Sequence, residues 1–177
     1  MKQGSVVRYV LRLTLTLLAI TGVVALALAG VNAITKDRIS QAKTSKTLAA
    51  VEAVLPGGGE AVSEDHPDIV ALYRGENGYA VQVAPNGFGG QIQMMVGIGN
   101  DGKVTAISII SHAETPSLGA VAAADSSKGQ AFRDQFAGVG EAVTIGTDID
   151  AITGATITSK AVAQGVNLAL EYVGQLG

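Results

Sequence analysis

The sequence predicts an α+β domain set behind a single N-terminal membrane-spanning helix. Three observations predict it. Residues 13–34 form a run of 22 positions without a charge. Between residues 69 and 111, segments rich in β-branched and other apolar residues alternate with clusters of Gly, Asn and Asp. At the C-terminus, Val162, Val166, Ala169, Val173 and Leu176 recur at steps of four, three, four and three, one apolar stripe along a helix.

The first element is the membrane segment. Leucine, valine, alanine and isoleucine dominate residues 13–34, and as a helix they reach roughly 30 Å, about the thickness of a bilayer core. Arg8 and Arg12 bound one end; Lys36, Asp37 and Arg38 bound the other. Thr14, Thr16 and Thr21 are compatible with lipid, because a helical threonine can bond its hydroxyl to a preceding carbonyl. A cleaved signal peptide is the competing reading, with Lys2, Arg8 and Arg12 as its basic region and Ala27-Leu28-Ala29 as its small-residue site. The length of the apolar run favours a retained anchor. The expected organisation is a cytoplasmic N-terminus over 1–12, a transmembrane helix over 13–34, a helical stalk and linker over 35–59, and a folded domain over 60–177.

Within the stalk, Ile39, Ala42, Leu48, Ala49, Val51 and Leu55 fall near helical spacing until Pro56-Gly57-Gly58-Gly59 ends the run. Residues 60–68 read as an acidic turn. Residues 69–74 and 79–84 form a hairpin about Gly75-Glu76-Asn77-Gly78. Residues 92–98 and 104–111 form another about Gly99-Asn100-Asp101-Gly102-Lys103, where Asp-Gly favours a tight turn with positive φ. Together they make a four-stranded antiparallel meander. One or two short helices follow over 119–137, with Phe132 and Phe136 on one face. A short strand is expected over 142–145, and the C-terminal helix over 159–176.

Composition removes whole classes of function. The chain has no cysteine, which excludes disulfides, thiolate metal sites and iron–sulfur ligation by its own residues. Two histidines, His66 and His112, lack the spacing of a metal site, and no metal ligand set is assigned. Residues 1–47 hold seven Lys/Arg and one Asp, whereas residues 48–177 hold five Lys/Arg and fourteen Asp/Glu. An acidic folded part argues against nucleic acid as a partner. A basic end beside an apolar run points to a membrane. No acid–base or nucleophile constellation stands out, so no catalytic residue is assigned, and no dinucleotide-binding fingerprint is present.

The chemistry concentrates at Asp150-Ala151-Ile152-Thr153-Gly154-Ala155-Thr156, just ahead of the C-terminal helix. A helix N-terminus offers unpaired N–H groups and partial positive charge, which favour a phosphate. Gly154 and Ala155 keep the turn small, while Thr153 and Thr158 offer hydroxyls. Thr156 falls in the turn before a helix that starts near Thr158 or Ser159. Taken alone, this stretch is also an ordinary N-cap turn, with Thr158 or Ser159 capping. A second segment, His112-Ala113-Glu114-Thr115-Pro116-Ser117-Leu118-Gly119, follows a buried strand and contains a proline-fixed turn. Such a loop can wall a flat ring system, with Glu114 or Thr115 bonding its edge and Leu118 packing on its face. His112 and Glu114 can equally be a solvated pair at a strand end. Tyr73, Tyr79 and Phe88 are expected in the core.

These segments carry a resemblance. D-x-x-[S/T]-G-A-T is similar to the sequence at which a flavin transferase esterifies FMN to threonine. Residues 112–119 resemble the H-x-E-T-P-G-L-G segment of the G subunits of Rnf membrane electron-transfer complexes, with Ser117 where that family has glycine. Gly87-Phe88-Gly89-Gly90-Gln91-Ile92 and Met95-Val96-Gly97-Ile98 resemble the same family's glycine-rich turn and strand. The resemblance implies an FMN-binding domain with covalent FMN on Thr156 through a phosphoester. It implies Asp150, Thr153, Gly154, Ala155, Thr158, Ser159, His112, Glu114, Thr115 and Leu118 around that cofactor. Asp150 would then serve the attachment reaction or cap the local turn. The implied partners are the other members of the complex and, during maturation, the flavin transferase. The implied location is the inner membrane with the domain outside, and the implied activity is electron transfer between ferredoxin and NAD coupled to Na⁺ or H⁺ translocation. If the glycine of the family pattern needs positive φ, Ser117 strains the turn. Three other readings stay open: the C-type flavin subunit of a Na⁺-pumping NADH:quinone reductase, a membrane-tethered flavin sensor, and a structural subunit without flavin.

Overall fold

The computed structural model describes residues 3–63 and 66–176, with side chains from residue 7 onward. It divides into two units, residues up to Thr44 and residues from Ser45.

The first unit is helical. It belongs to α1, Gln3–Val54, which runs without a break. An 18-residue window near its N-terminus has a mean hydropathy of 2.3, and none of it is buried inside the protein. Thr14, Thr16 and Thr21 donate their hydroxyls to the carbonyls of Val10, Arg12 and Leu17, at 3.0, 2.7 and 2.9 Å, so these three hydroxyls need no partner from lipid.

The second unit holds a five-stranded antiparallel sheet in sequence order. Its strands are β1 Glu60–Val62, β2 Ile69–Gly75, β3 Gly78–Val83, β4 Gln93–Gly99 and β5 Val104–Ser111. The two hairpins lie where the turn residues put them: Gly75 pairs with Gly78, and Gly102 adopts φ +76° in the second turn. Glu60–Val62 is a strand rather than a turn. It pairs Val62 with Leu72 and extends the expected meander by one exposed edge strand.

Alternation along the central strands separates two cores. Val81 and Val83 of β3 and Met94, Val96 and Ile98 of β4 face the larger one. Ala80 and Met95 face the other, where they meet Ala50, Val51, Val54 and Leu55. The last turn of α1 is therefore core, and Thr105 Oγ1 bonds the Val54 carbonyl at its end.

The larger core is covered by a 3₁₀ turn Gly119–Ala123, α2 Ser127–Asp134 and α3 Thr156–Leu176. Phe132 and Phe136 meet edge to face with centroids 5.4 Å apart. The stripe of α3 is buried at Val162, Val166, Ala169 and Val173, while Leu176 is largely exposed. Residues 142–145 do not form the expected strand; Ile145 makes only a single bridge to Ile149. The reason is a side chain. Asn167 on α3 accepts from Val143 N–H at 2.8 Å and donates to its carbonyl at 2.9 Å, taking the place of a strand partner.

Candidate functional site

Three segments converge at the start of α3: the turn between β3 and β4, the loop after β5, and the loop entering the helix. The first intrahelical bond of α3 runs from Ser159 N–H to the Ala155 carbonyl at 2.9 Å. Thr156 is thus the first helical residue, two to three positions earlier than the sequence placed the helix start. Its side chain is exposed, and the neighbouring N–H groups of the first turn precede the helix's own bonds. Gly154, at φ +78°, turns the chain into the helix. A Cβ there would lie 3.1 Å from Leu118 Cδ2, so the glycine also lets the two loops touch.

A cavity of about 320 Å³ opens beside Thr156. Phe88, Glu114, Thr115, Leu118, Gly119 and the stretch from Gly154 to Thr158 line it. Phe88 is 69% exposed, which corrects its expected place in the core. It stands at the tip of a tight turn closed by Gly87 N–H to the Gly90 carbonyl, 2.8 Å. The signal was in the sequence: Gly87, Gly89 and Gly90 mark a tight turn, and a side chain at the tip of a turn is held away from the core. Gly119 and Ile157 are the other lining residues that sequence reasoning passed over. Tyr73 and Tyr79 pack against the cores as expected.

A second cavity of about 330 Å³ lies on the other side of the motif loop, lined by Asp150, Ala151, Ile152 and Thr153 together with Ser117, Lys128 and Gln135. Asp150 and Thr153 therefore do not share the cavity of Thr156. The backbone of Asp150 is clamped at both ends by one side chain, its N–H to Gln135 Oε1 at 2.7 Å and its carbonyl to Gln135 Nε2 at 3.4 Å.

The hydroxyls near Thr156 divide into exposed and committed. Thr158 is 2% exposed and donates to Glu114 Oε2. Ser159 is fully buried, donates to the Ala155 carbonyl at 3.0 Å and accepts from Ile152 N–H at 3.0 Å. Both hold the turn together instead of facing the cavity freely. His112 is exposed and outside the cavity lining, but its Nδ1 accepts the Glu114 N–H at 3.2 Å. Glu114 is buried at 6% exposure, so it is not a solvated strand-end group. Ser117 adopts φ +63°, the one non-glycine residue with positive φ among the described residues. The strain expected at this position is present.

Residues 87–171 match the FMN-binding domain family. Over 93% of this chain, and 91% of the relative, the sequence is 34% identical to the G subunit of the Na(+)-translocating ferredoxin:NAD(+) oxidoreductase complex of Acetobacterium woodii. It is 30% identical to the G subunit of the ion-translocating oxidoreductase complex of Methanosarcina acetivorans, over 92% of this chain and 93% of that one. A shorter match, 48% identical over 54% of this chain and 52% of the relative, is to the G subunit of the proton-translocating ferredoxin:NAD(+) oxidoreductase complex of Clostridium ljungdahlii. With this sheet, this motif loop and end-to-end similarity, the chain belongs to the G-subunit family of Rnf-type ion-translocating oxidoreductase complexes, and its C-terminal part is an FMN-binding domain.

Proposed function

We propose that this chain is a membrane-anchored electron carrier bearing FMN esterified through its phosphate to Thr156. It relays electrons between neighbouring subunits of a complex that couples ferredoxin:NAD(+) oxidoreduction to Na⁺ or H⁺ translocation. Relatives of nearly its full length are named as G subunits of such complexes. The observation that carries the attachment site is the exposed Thr156 hydroxyl on the first residue of α3, at the lip of the 320 Å³ cavity.

The residues fit the group. The start of α3 presents N–H donors and positive dipole to a phosphodiester that keeps one negative charge. Phe88 and Leu118 offer apolar surface for a ring, and the cavity, at the small end of ligand sites, leaves one side of that ring open. Bound FMN supplies the one-electron chemistry, which no side chain here provides. The chain's own residues orient the cofactor, exclude water from one face and hold the attachment point still. Alone, the subunit should not turn over NADH. The domain lies on the extracytoplasmic side. Lys/Arg are nearly balanced across the apolar run, with Lys2, Arg8 and Arg12 before it and Lys36, Arg38, Lys43 and Lys46 after it, so the resemblance to Rnf-type G subunits is what supports that orientation.

The test is co-expression with a flavin transferase. The native chain should give a fluorescent band on a denaturing gel and an intact mass raised by one FMN. Thr156→Ala should lose both, and Thr156→Ser should keep part. A covalent flavin retained by Thr156→Ala sinks the assignment.

A further inference from the structure

Glu114 is the only buried charged side chain among the described residues. Burying a carboxylate is costly unless its oxygens are met by donors. Here each oxygen is met by a different segment. Oε1 accepts Gly89 N–H at 2.9 Å, from the turn that carries Phe88. Oε2 accepts the Thr158 hydroxyl, from the first turn of α3. The chain is cleared to admit the group. A Cβ at Gly119 would fall 2.9 Å from Glu114 Cβ, and one at Gly87 would fall 3.0 Å from Glu114 Cδ. The three segments joined in this way are the three walls of the cavity beside Thr156, and Glu114 itself is part of the lining.

We propose that Glu114 is a positioning residue for the flavin. Its carboxylate fastens the three walls to one another and sets a negative charge beside the cofactor that lowers its reduction potential. This rests on the reading that the cavity takes FMN. Both oxygens are engaged by protein donors, so Glu114 acts through Gly89 and Thr158 instead of by bonding the ring edge. Its charge acts through space. Reduction adds negative charge to a flavin, and a carboxylate in a wall of low polarity opposes that more than one in water.

Two variants of the full-length chain in detergent separate geometry from charge. Glu114→Gln keeps a carbonyl for Gly89 and an amide for Thr158, but removes the charge. Glu114→Ala removes the fastening. In the flavin-free chain, the Gly89 amide should exchange with deuterium about tenfold faster or more in Glu114→Ala, the loss of one hydrogen bond to a charged group. Thr158→Val reads the same fastening should Glu114→Ala fail to fold. Glu114→Gln should exchange nearly as the native chain does, and its loaded form should titrate with a midpoint potential shifted positive. Unchanged Gly89 exchange in both Glu114→Ala and Thr158→Val overturns the fastening. An unchanged midpoint in Glu114→Gln overturns the role of the charge. A failure of the Thr156 assignment would show instead as covalent flavin on Thr156→Ala, and it would leave the flavin-free exchange result standing.

Discussion

Ser117 shows how much a single φ can cost. At +63° a residue with a Cβ loses roughly 1–2 kcal/mol relative to the right-handed region. Glycine there escapes that cost but gives back about half of it through the greater freedom of its unfolded chain. Ser117→Gly should therefore raise unfolding stability by about 0.5–1 kcal/mol, and a denaturant titration checks it. A loss of stability would show that the serine hydroxyl, which borders the second cavity, makes a compensating contact. The sequence disclosed this strain only through comparison with a family pattern, because φ leaves no trace in a serine. The burial of Thr158 and Ser159 is more legible than a helix start expected at those two residues suggests. Counting four residues back from Val162 reaches Thr158, and seven from Val166 reaches Ser159, so both continue the buried stripe once the helix is begun at Thr156. What no spacing discloses is that Glu114, 44 residues away, is the partner that takes the Thr158 hydroxyl.

At the scale of elements, the end of α1 has two characters. Its early part shows its apolar side chains outward, yet Val51 and Val54 in its last turn, and Leu55 just past it, are no more than 2% exposed against the sheet. Each such side chain contributes about 1.5–3 kcal/mol on burial, so the three together contribute roughly 5 kcal/mol or more. Proteins of this size are stable by only about 5–15 kcal/mol. A chain begun at Ser45 should unfold cooperatively on heating, and a chain begun at Glu60 should be unfolded or bind a hydrophobic dye at the same temperature. Equal melting temperatures would show that the second core is dispensable. The sequence located both hairpins because their turns depend on local residues such as Gly78 and Gly102. It missed β1 because a three-residue edge strand with every side chain exposed has no burial pattern to read. It assigned 142–145 as a strand because Val143 has β character, while its partner is an asparagine side chain 24 residues on.

For the molecule as a whole, the apolar window of α1 marks it as a membrane-anchored protein. The proposed orientation has a direct check. A C-terminal alkaline phosphatase fusion should be active, and a C-terminal green fluorescent protein fusion should be dim. The reverse pattern would put the flavin domain in the cytoplasm. A mature chain lacking residues through about 29 would identify a signal peptide, and would leave the flavin site unchanged because it rests on other residues. The fold class and the family were legible from end to end, since both rest on long apolar patterns and on motifs with fixed spacing. The cavity was legible only in part, since its walls come together through tertiary contacts.

The place of Thr156 has a kinetic side. It is not on a flexible tether but on the first turn of a 21-residue helix whose face fills the core. A cofactor fastened there cannot swing between a donor and an acceptor as lipoyl or biotinyl arms do. Electron hand-off would then occur across gaps fixed by how the subunits dock, with little rearrangement of the carrier between oxidation states. The rate would be set by how closely a neighbour approaches the side of the ring that the cavity leaves open, and trimming the exposed Phe88 from the wall would widen that approach without touching the proposed bond at Thr156.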